Sequence, residues 1–192
     1  MDNDKIIVIC GKSSVAKDTT SRLLEQRDGY NFIVSTTTRP MRVGESDRNP
    51  YNFVTNDYFN KLIENNELIE HREYNTLVNN IPATWFYGIE KKEMEEGKPY
   101  VVVLDTVGLS EMKRQFGGRV MSILIEVDDD VRLERAKLRG GFDLTEWNRR
   151  LEDDRRIFST QEFKNDVDFT VTNNTNNVED CYNKIKNILK GE

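Results

Sequence analysis

The stretch "IIVICGKSSVAKDTT", Ile6 to Thr20, joins an unbroken branched apolar run to a glycine and, six residues on, to a lysine. Short and followed by a turn, Ile6–Cys10 reads as a strand buried on both faces. Lys17–Glu25 reads as the next helix, with Leu23 and Leu24 turned to a core. Gly11 and Lys17 keep the spacing of the phosphate loop G-x-x-x-x-G-K-[ST] in its strand–turn–helix setting. Two positions depart from it: Ala16 replaces the second glycine, and Asp18 replaces the Ser or Thr. Such a loop offers a phosphate its backbone N–H groups and a lysine charge. An alanine there costs only a methyl group if its backbone angle is ordinary. A carboxylate at Asp18 repels a bare triphosphate, whereas with Mg²⁺ between them Asp18 or Thr19 serves as a ligand. The competing reading is an ordinary strand-to-helix turn with a surface lysine.

The 192 residues suit one domain, and 36% hydrophobic against 32% charged residues allows a core under a solvated surface. No apolar run approaches the roughly 20 residues that span a bilayer. The opening "MDNDK" is acidic and not a secretory signal, so the expected location is cytoplasmic. A net charge of −6 argues against a nucleic-acid partner but not against a small anionic substrate met by converging cations. Cys10 and Cys181 are far apart and His71 is the single histidine, so buried free thiols are expected rather than a zinc site.

Further along, "FIVSTTTR" (Phe32–Arg39), "PYNFVT" (Pro50–Thr55), "YVVVLD" (Tyr100–Asp105), "VMSILIEV" (Val120–Val127) and "VDFTVTN" read as strands. Asn56–Glu70 reads as a helix capped at Asn56 or Asp57 that runs into an extended "ELIEH". "EKKEMEEGK" reads as a charged helix stopped by Gly97, "DDVRLERAKLRG" as a helix capped by its aspartates, and "TEWNRRLEDDRRIF" as one capped by Thr145. The C-terminal "VEDCYNKIKNILK" is amphipathic. Helices alternating with continuous apolar strands predict an α/β fold with a mostly parallel central sheet.

"STTTRPMRVGESDRNPYNFV", Ser35 to Val54, places Ser35, Thr37, Thr38, Arg39, Arg42, Gly44, Glu45, Tyr51, Phe53 and Val54 at fixed spacing. Two arginines three apart, with serine and tyrosine hydroxyls, suit a dianionic phosphate. This segment resembles the monophosphate-binding segment of the guanylate kinase family. The likeness runs from Ile6 to at least Asn173. "NELIE" resembles that family's G-E-F-L-E, "FYG" its Y-Y-G, "LDTVG" its D-x-x-G, and "RAKLRGGFDLTEWNRRL" its lid segment.

The resemblance implies a P-loop kinase fold with a core (residues 1–34, 98–134 and 152–192), a monophosphate-binding lobe (about 35–97) and a helical lid (about 135–151). It implies transfer of the γ-phosphoryl group of Mg·ATP to GMP or dGMP. ATP is expected on Gly11, Ser13, Ser14, Val15, Ala16, Lys17, Asp18, Thr19 and, near adenine, Asn173. GMP is expected on Ser35, Arg39, Arg42, Tyr51 and Tyr87, with Glu70 accepting from guanine N1 and N2 and Asp105 near base and metal. Lys17, Arg39, Arg135, Arg139 and Arg150 are the expected catalytic cations, because phosphoryl transfer needs positioning and charge rather than covalent chemistry.

Four departures bear on this. Glycines are missing at Ser14 and Ala16, Asp18 is unusual, most of "YNTLVNNIPAT" is inserted before Tyr87, and Ile89 stands where a Ser or Thr donates to guanine O6. Asn75, Thr76 or Thr84 is the expected replacement donor. His71 is expected on the wall of the base pocket, and Trp85 and Trp147 in packing. Two alternatives stand beside the kinase: a binding module that grips phosphopeptides in a degenerate site, and a kinase for another nucleotide.

Overall fold

The computed structural model describes residues 4–42, 44–78, 81–138, 142–175 and 177–191, with 77 and 78 as backbone. Five strands, β1 (Ile6–Cys10), β2 (Asn31–Phe32), β7 (Tyr100–Val103), β8 (Val120–Glu126) and β9 (Phe169–Thr172), form a wholly parallel sheet in the order β2-β7-β1-β8-β9. Every residue of β1 is fully buried, as its position at the sheet centre requires. Ile6, Val8 and Cys10 pack on one face with Val102, Leu109 and Met112; Ile7 and Ile9 pack on the other with Leu24, Ile123 and Ile185. The helices α1 (Lys17–Asp28), α3 (Thr106–Phe116) and α7 (Val178–Lys190) supply Leu24, Leu109, Met112 and Ile185, and the neighbouring strands supply Val102 and Ile123. Leu24 is buried and Leu23 packs partly against the same cluster, as expected.

Cys10 and Cys181 are buried free thiols, and burial pushes the Cys10 thiol up to about 12. No helix among the described residues is long and apolar enough to cross a membrane.

A second sheet, in the order β4-β3-β6-β5, is built from β3 (Thr36–Thr37), β4 (Asn52–Phe53), β5 (Leu68–Val78) and β6 (Ile81–Glu90). "FIVSTTTR" is therefore not one strand: β2 edges the central sheet, and the chain crosses at Ser35 to begin the second. The inserted residues extend β5 and β6 into one antiparallel hairpin, paired from Leu68↔Glu90 to Val78↔Ile81. Its base is packed too tightly for any side chain at residue 88, where a Cβ would lie 2.8 Å from the Glu70 carbonyl oxygen; Gly88 fits.

Other boundaries differ for local reasons. Helix α2 (Asn56–Glu64) is capped by Thr55, whose hydroxyl accepts from the Tyr58 N–H at 3.2 Å, and it ends before a left-handed Asn66. Residues 91–93 make only a 3₁₀ turn, because Glu90 still belongs to β6. Helix α5 (Leu144–Phe158) is capped by Asp143, not Thr145. Helix α4 (Asp129–Leu138) stands where expected. Helix α3 was not anticipated, since "TVGLSEMKRQF" starts with a β-branched pair and a glycine. The short α6 (Gln161–Asp166) was not anticipated either.

Candidate functional site

The phosphate-loop segment leaves the carboxyl end of β1, beside the end of β7, where ligands of open parallel sheets bind. Gly11 has φ 148°, and a Cβ there would meet the Ile125 carbonyl oxygen at 2.5 Å, so only glycine fits. Ser14 and Ala16, at the two places of missing glycines, have φ 65° and 76°. The alanine angle is thus not ordinary; it is left-handed, which costs an L-residue about 1–2 kcal/mol. The loop keeps the glycine-type path without glycine.

What holds that path is a buried ion cluster. Arg132 of α4 is 0% exposed; its Nε donates to the Ser13 carbonyl at 2.8 Å and its Nη1 to Asp129 Oδ1 at 2.6 Å. Its Nη2 pairs with Asp154 of α5, and the same Asp154 oxygen accepts from the Ser13 N–H at 3.1 Å. Both backbone groups of Ser13 are therefore fixed. Val15 is buried under the loop. Lys17 Nζ donates to the Gly11 and Lys12 carbonyls at 2.7 and 2.9 Å, and the first turn of α1 has no side-chain cap.

A cleft of about 400 Å³ opens between this loop and the second sheet. Among the described residues, five cationic side chains line it: Lys17, Arg39, Arg42, Arg72 and Arg150. Arg39 is buried between the Tyr51 and Phe53 rings, 5.4 and 5.3 Å from their centroids, and its Nη2 donates to Glu45 Oε1 at 2.9 Å. Against the penalty of burial, that bond and one from the Arg42 N–H at 2.8 Å hold the Glu45 carboxyl below its ordinary value. Arg42 is pushed the other way: desolvation at the cleft mouth and the charges of Arg39 and Arg150 lower its guanidinium. Three cations crowd one spot, which favours an arriving anion. Tyr51 and Tyr87 face the same space, 5.7 Å apart, and burial pushes the Tyr51 phenol up to about 12, so it is a neutral donor.

Of the expected residues, Gly11, Ser13, Lys17, Asp18, Arg39, Arg42, Tyr51, Tyr87, Asp105 and Arg150 line this cleft. Asp18 is exposed there, whereas the exposed Thr19 is not among the lining residues. Ser35 is buried and is not among the lining residues; its carbonyl accepts from the Asn52 N–H. Arg135 holds backbone carbonyls at the sheet end, donating to Asn173 at 2.9 Å and to Thr175 and Ser14, and does not line the cleft. Asn173 is 2% exposed with its Oδ1 unpartnered. Arg139 lies outside the described residues.

Glu70 is 3% exposed and does not line the cleft; Arg72, unremarked in the sequence, stands over it. Ile89 is fully buried in the core cluster with Ile69 and Leu109 and does not line the cleft. The expected substitutes do not reach it either: Thr84 bonds Asn75 at 2.8 Å on the surface, and Thr76 is buried. His71 is exposed and outside the cleft, because alternation on β5 turns it away from Arg72. Trp147 packs as expected, over Arg132, but Trp85 lines the cleft, stacked on Tyr74 at 6.3 Å. The same two-residue alternation on β5 and β6 is the signal by which Arg72, Tyr74, Trp85 and Tyr87 were there to be found as one face.

A family profile described as "Guanylate kinase" matches residues 3–192. The guanylate kinase of Helicobacter hepaticus is 33% identical over 75% of this chain and 71% of its own length. That of Trichodesmium erythraeum is 36% identical over 60% of this chain and 61% of its own length, so this chain spans less than two thirds of that relative. Among solved structures, the guanylate kinase from Anaplasma phagocytophilum superposes with a TM-score of 0.71 at 28% identity, covering 100% of this chain and 87% of that one. A profile match along nearly the whole chain, on a parallel-sheet fold with arginines and a lysine in the cleft at the phosphate loop, shows that the chain belongs to the guanylate kinase family.

Proposed function

We propose that the protein transfers the γ-phosphoryl group of ATP to the phosphate of GMP or dGMP, giving ADP and GDP or dGDP. One observation carries this reading: Lys17 at the phosphate loop and Arg39, Arg42 and Arg150 on other elements line one cleft. Two anionic nucleotides placed end to end need that arrangement, and a phosphoryl group in flight is stabilised by cations around it. The acceptor phosphate is already a nucleophile, so no general base is called for.

In this reading the loop from Gly11 to Thr19 takes the ATP phosphates, with Lys17 on the transferred end. Ser35, Arg39, Arg42, Tyr51 and Tyr87 take the acceptor phosphate. Arg150 bridges the two, and Arg135 and Arg139 belong to the lid that the family resemblance implies, residues about 135–151. The unpartnered Oδ1 of Asn173 suits an adenine amino donor. Asp18 is the side chain that would hold Mg²⁺, an exposed hard-oxygen donor at the cleft. Magnesium takes one or two carboxylates plus substrate phosphates rather than a protein cage. Bound there, it would neutralise phosphate charge.

The strained, glycine-poor loop also suits a second reading, a phosphopeptide-binding module. An assay of ADP release with ATP, Mg²⁺ and GMP separates them. Release that needs all three is expected, and Lys17→Ala is expected to abolish it with GMP affinity nearly unchanged. Intact GMP binding without any ADP release would overturn the kinase reading in favour of the module.

A further inference from the structure

We propose that Arg72 is a specificity-determining residue that meets the acceptor base through its guanidinium, in place of Glu70, so that the cleft selects 6-oxopurines as a class and leaves the guanine 2-amino group unread. The proposal rests on the phosphotransfer reading above for its substrates, and on the second sheet for its geometry. On β5, Arg72 Nη1 donates to Glu70 Oε2 at 3.1 Å, and its Nε pairs with Asp105 Oδ2. The guanidinium carbon lies 5.6 Å from the Tyr87 ring centroid, on the wall that faces the acceptor side. Arg72 lines the cleft and Glu70 does not.

Each carboxylate is already engaged. Asp105 Oδ1 accepts from the Gly108 N–H at 3.0 Å, capping α3, while Oδ2 takes Arg72. Glu70 gives Oε2 to Arg72, and its Oε1 is buried without a partner. Gly108 leaves room for the guanidinium, since a Cβ there would lie 3.4 Å from Nη1. With Nε and Nη1 committed, Nη2 is the donor left for a ligand. A guanidinium only donates. It therefore suits an edge bearing a carbonyl and a ring nitrogen, as guanine presents with O6 and N7, and it repels the amino group that adenine carries there. Guanine and hypoxanthine share that edge and differ at the 2-amino group, the donor that a cleft-facing carboxylate would read.

The test is a comparison of kcat/KM for GMP, IMP and AMP in the wild type, Arg72→Ala and Arg72→Lys. A charge-assisted hydrogen bond to the 2-amino group would separate GMP from IMP by about tenfold or more. The wild type is expected to keep GMP and IMP within that ratio and to reject AMP. Arg72→Ala, which uncovers Glu70, is expected to raise the GMP:IMP ratio above about tenfold. Arg72→Lys keeps a cation on the carboxylates should the alanine variant fail to fold. It loses the planar fork and is expected to narrow the gap between IMP and AMP. A wild-type GMP:IMP ratio above about tenfold, or ratios unchanged in every folded variant, would overturn the role of Arg72. Calorimetric titration of the same monophosphates without ATP separates the two claims. Similar GMP and IMP affinities without turnover would sink the phosphotransfer reading and support Arg72; unequal affinities by the same measure would overturn Arg72 whatever the turnover.

Discussion

Arg149 on α5 donates a 2.7 Å hydrogen bond from Nη2 to the hydroxyl of Tyr74 on β5, joining positions 75 apart in sequence. The long hairpin thereby reaches the helix that carries Arg150 and Asp154 into the site. Tyr74 is also stacked on Trp85, with 25° between the ring planes. Tyr74→Phe removes the bond and keeps the stack, and a loss of about 0.5–1.5 kcal/mol is expected from urea denaturation. Tyr74→Ala loses both and is expected to cost about 1 kcal/mol more. Equal losses for the two variants would mean that the hydroxyl carries the contact and the stack adds nothing.

The left-handed Ala16 is a second place to press. Glycine there removes a penalty of about 1–2 kcal/mol and adds about 0.5–1 kcal/mol of unfolded-state entropy. Ala16→Gly is therefore expected to stabilise the protein by about 0.5–1 kcal/mol in a thermal or urea melt, and to tighten ATP binding by easing phosphate onto the backbone. A destabilised Ala16→Gly would mean that the methyl group packs usefully and that the angle is not strained.

The Arg132–Asp154 pair gives a sharper contrast. Arg132 is 0% exposed, so Asp154→Ala leaves its Nη2 buried without that partner, while Asp129 still holds Nη1, at a cost of about 1–3 kcal/mol. Replacing both partners with apolar residues removes that penalty, and Arg132→Leu combined with Asp154→Ala is expected to recover most of the loss. ATP affinity is not expected to recover, since Ser13 is then held by neither group. The urea midpoint and an ATP titration measured on the wild type and these two variants read the two effects separately.

Glu70 gives stability a pH dependence. Burial pushes its carboxyl from an ordinary 4.5 up to about 7; Arg72 opposes the shift and Asp105 adds to it. Between those values the folded state binds the proton that the unfolded chain releases. Stability thus falls as pH rises from about 4.5 through about 7, by up to about 3 kcal/mol, and levels off above. Glu70→Gln is expected to flatten that slope in urea midpoints taken from pH 5 to 8. A wild-type slope that survives the substitution would assign the proton to another group.

The parallel sheet and the phosphate loop were legible because their signals are local: a buried run at Ile6–Cys10, then Gly11 and Lys17 at fixed spacing. The arginines of residues 35–54 were legible for the same reason. The misses involve contacts that local spacing does not encode. Phe32 and Thr36 belong to different sheets although four residues apart, and only their partners, Val101 and Gly88, show it. Thr55 caps α2 amid a cluster of cap-forming residues, any of which satisfies the local pattern. Arg72 looked like one more charge on a polar segment. Its meaning depends on Glu70 two residues earlier and on Asp105 at the cap of α3. Arg132 and Asp154, 22 positions apart, become a loop anchor only once α4 and α5 have packed.

The central claim is that one cleft passes a phosphoryl group between two nucleotides. The most direct measurement follows the label from [γ-³²P]ATP in the presence of Mg²⁺ and GMP. The label is expected in the β-phosphate of GDP, in equal amount to the ADP formed, and absent from GDP in Lys17→Ala. Label found only in inorganic phosphate, or left in ATP while GMP is bound, would contradict it.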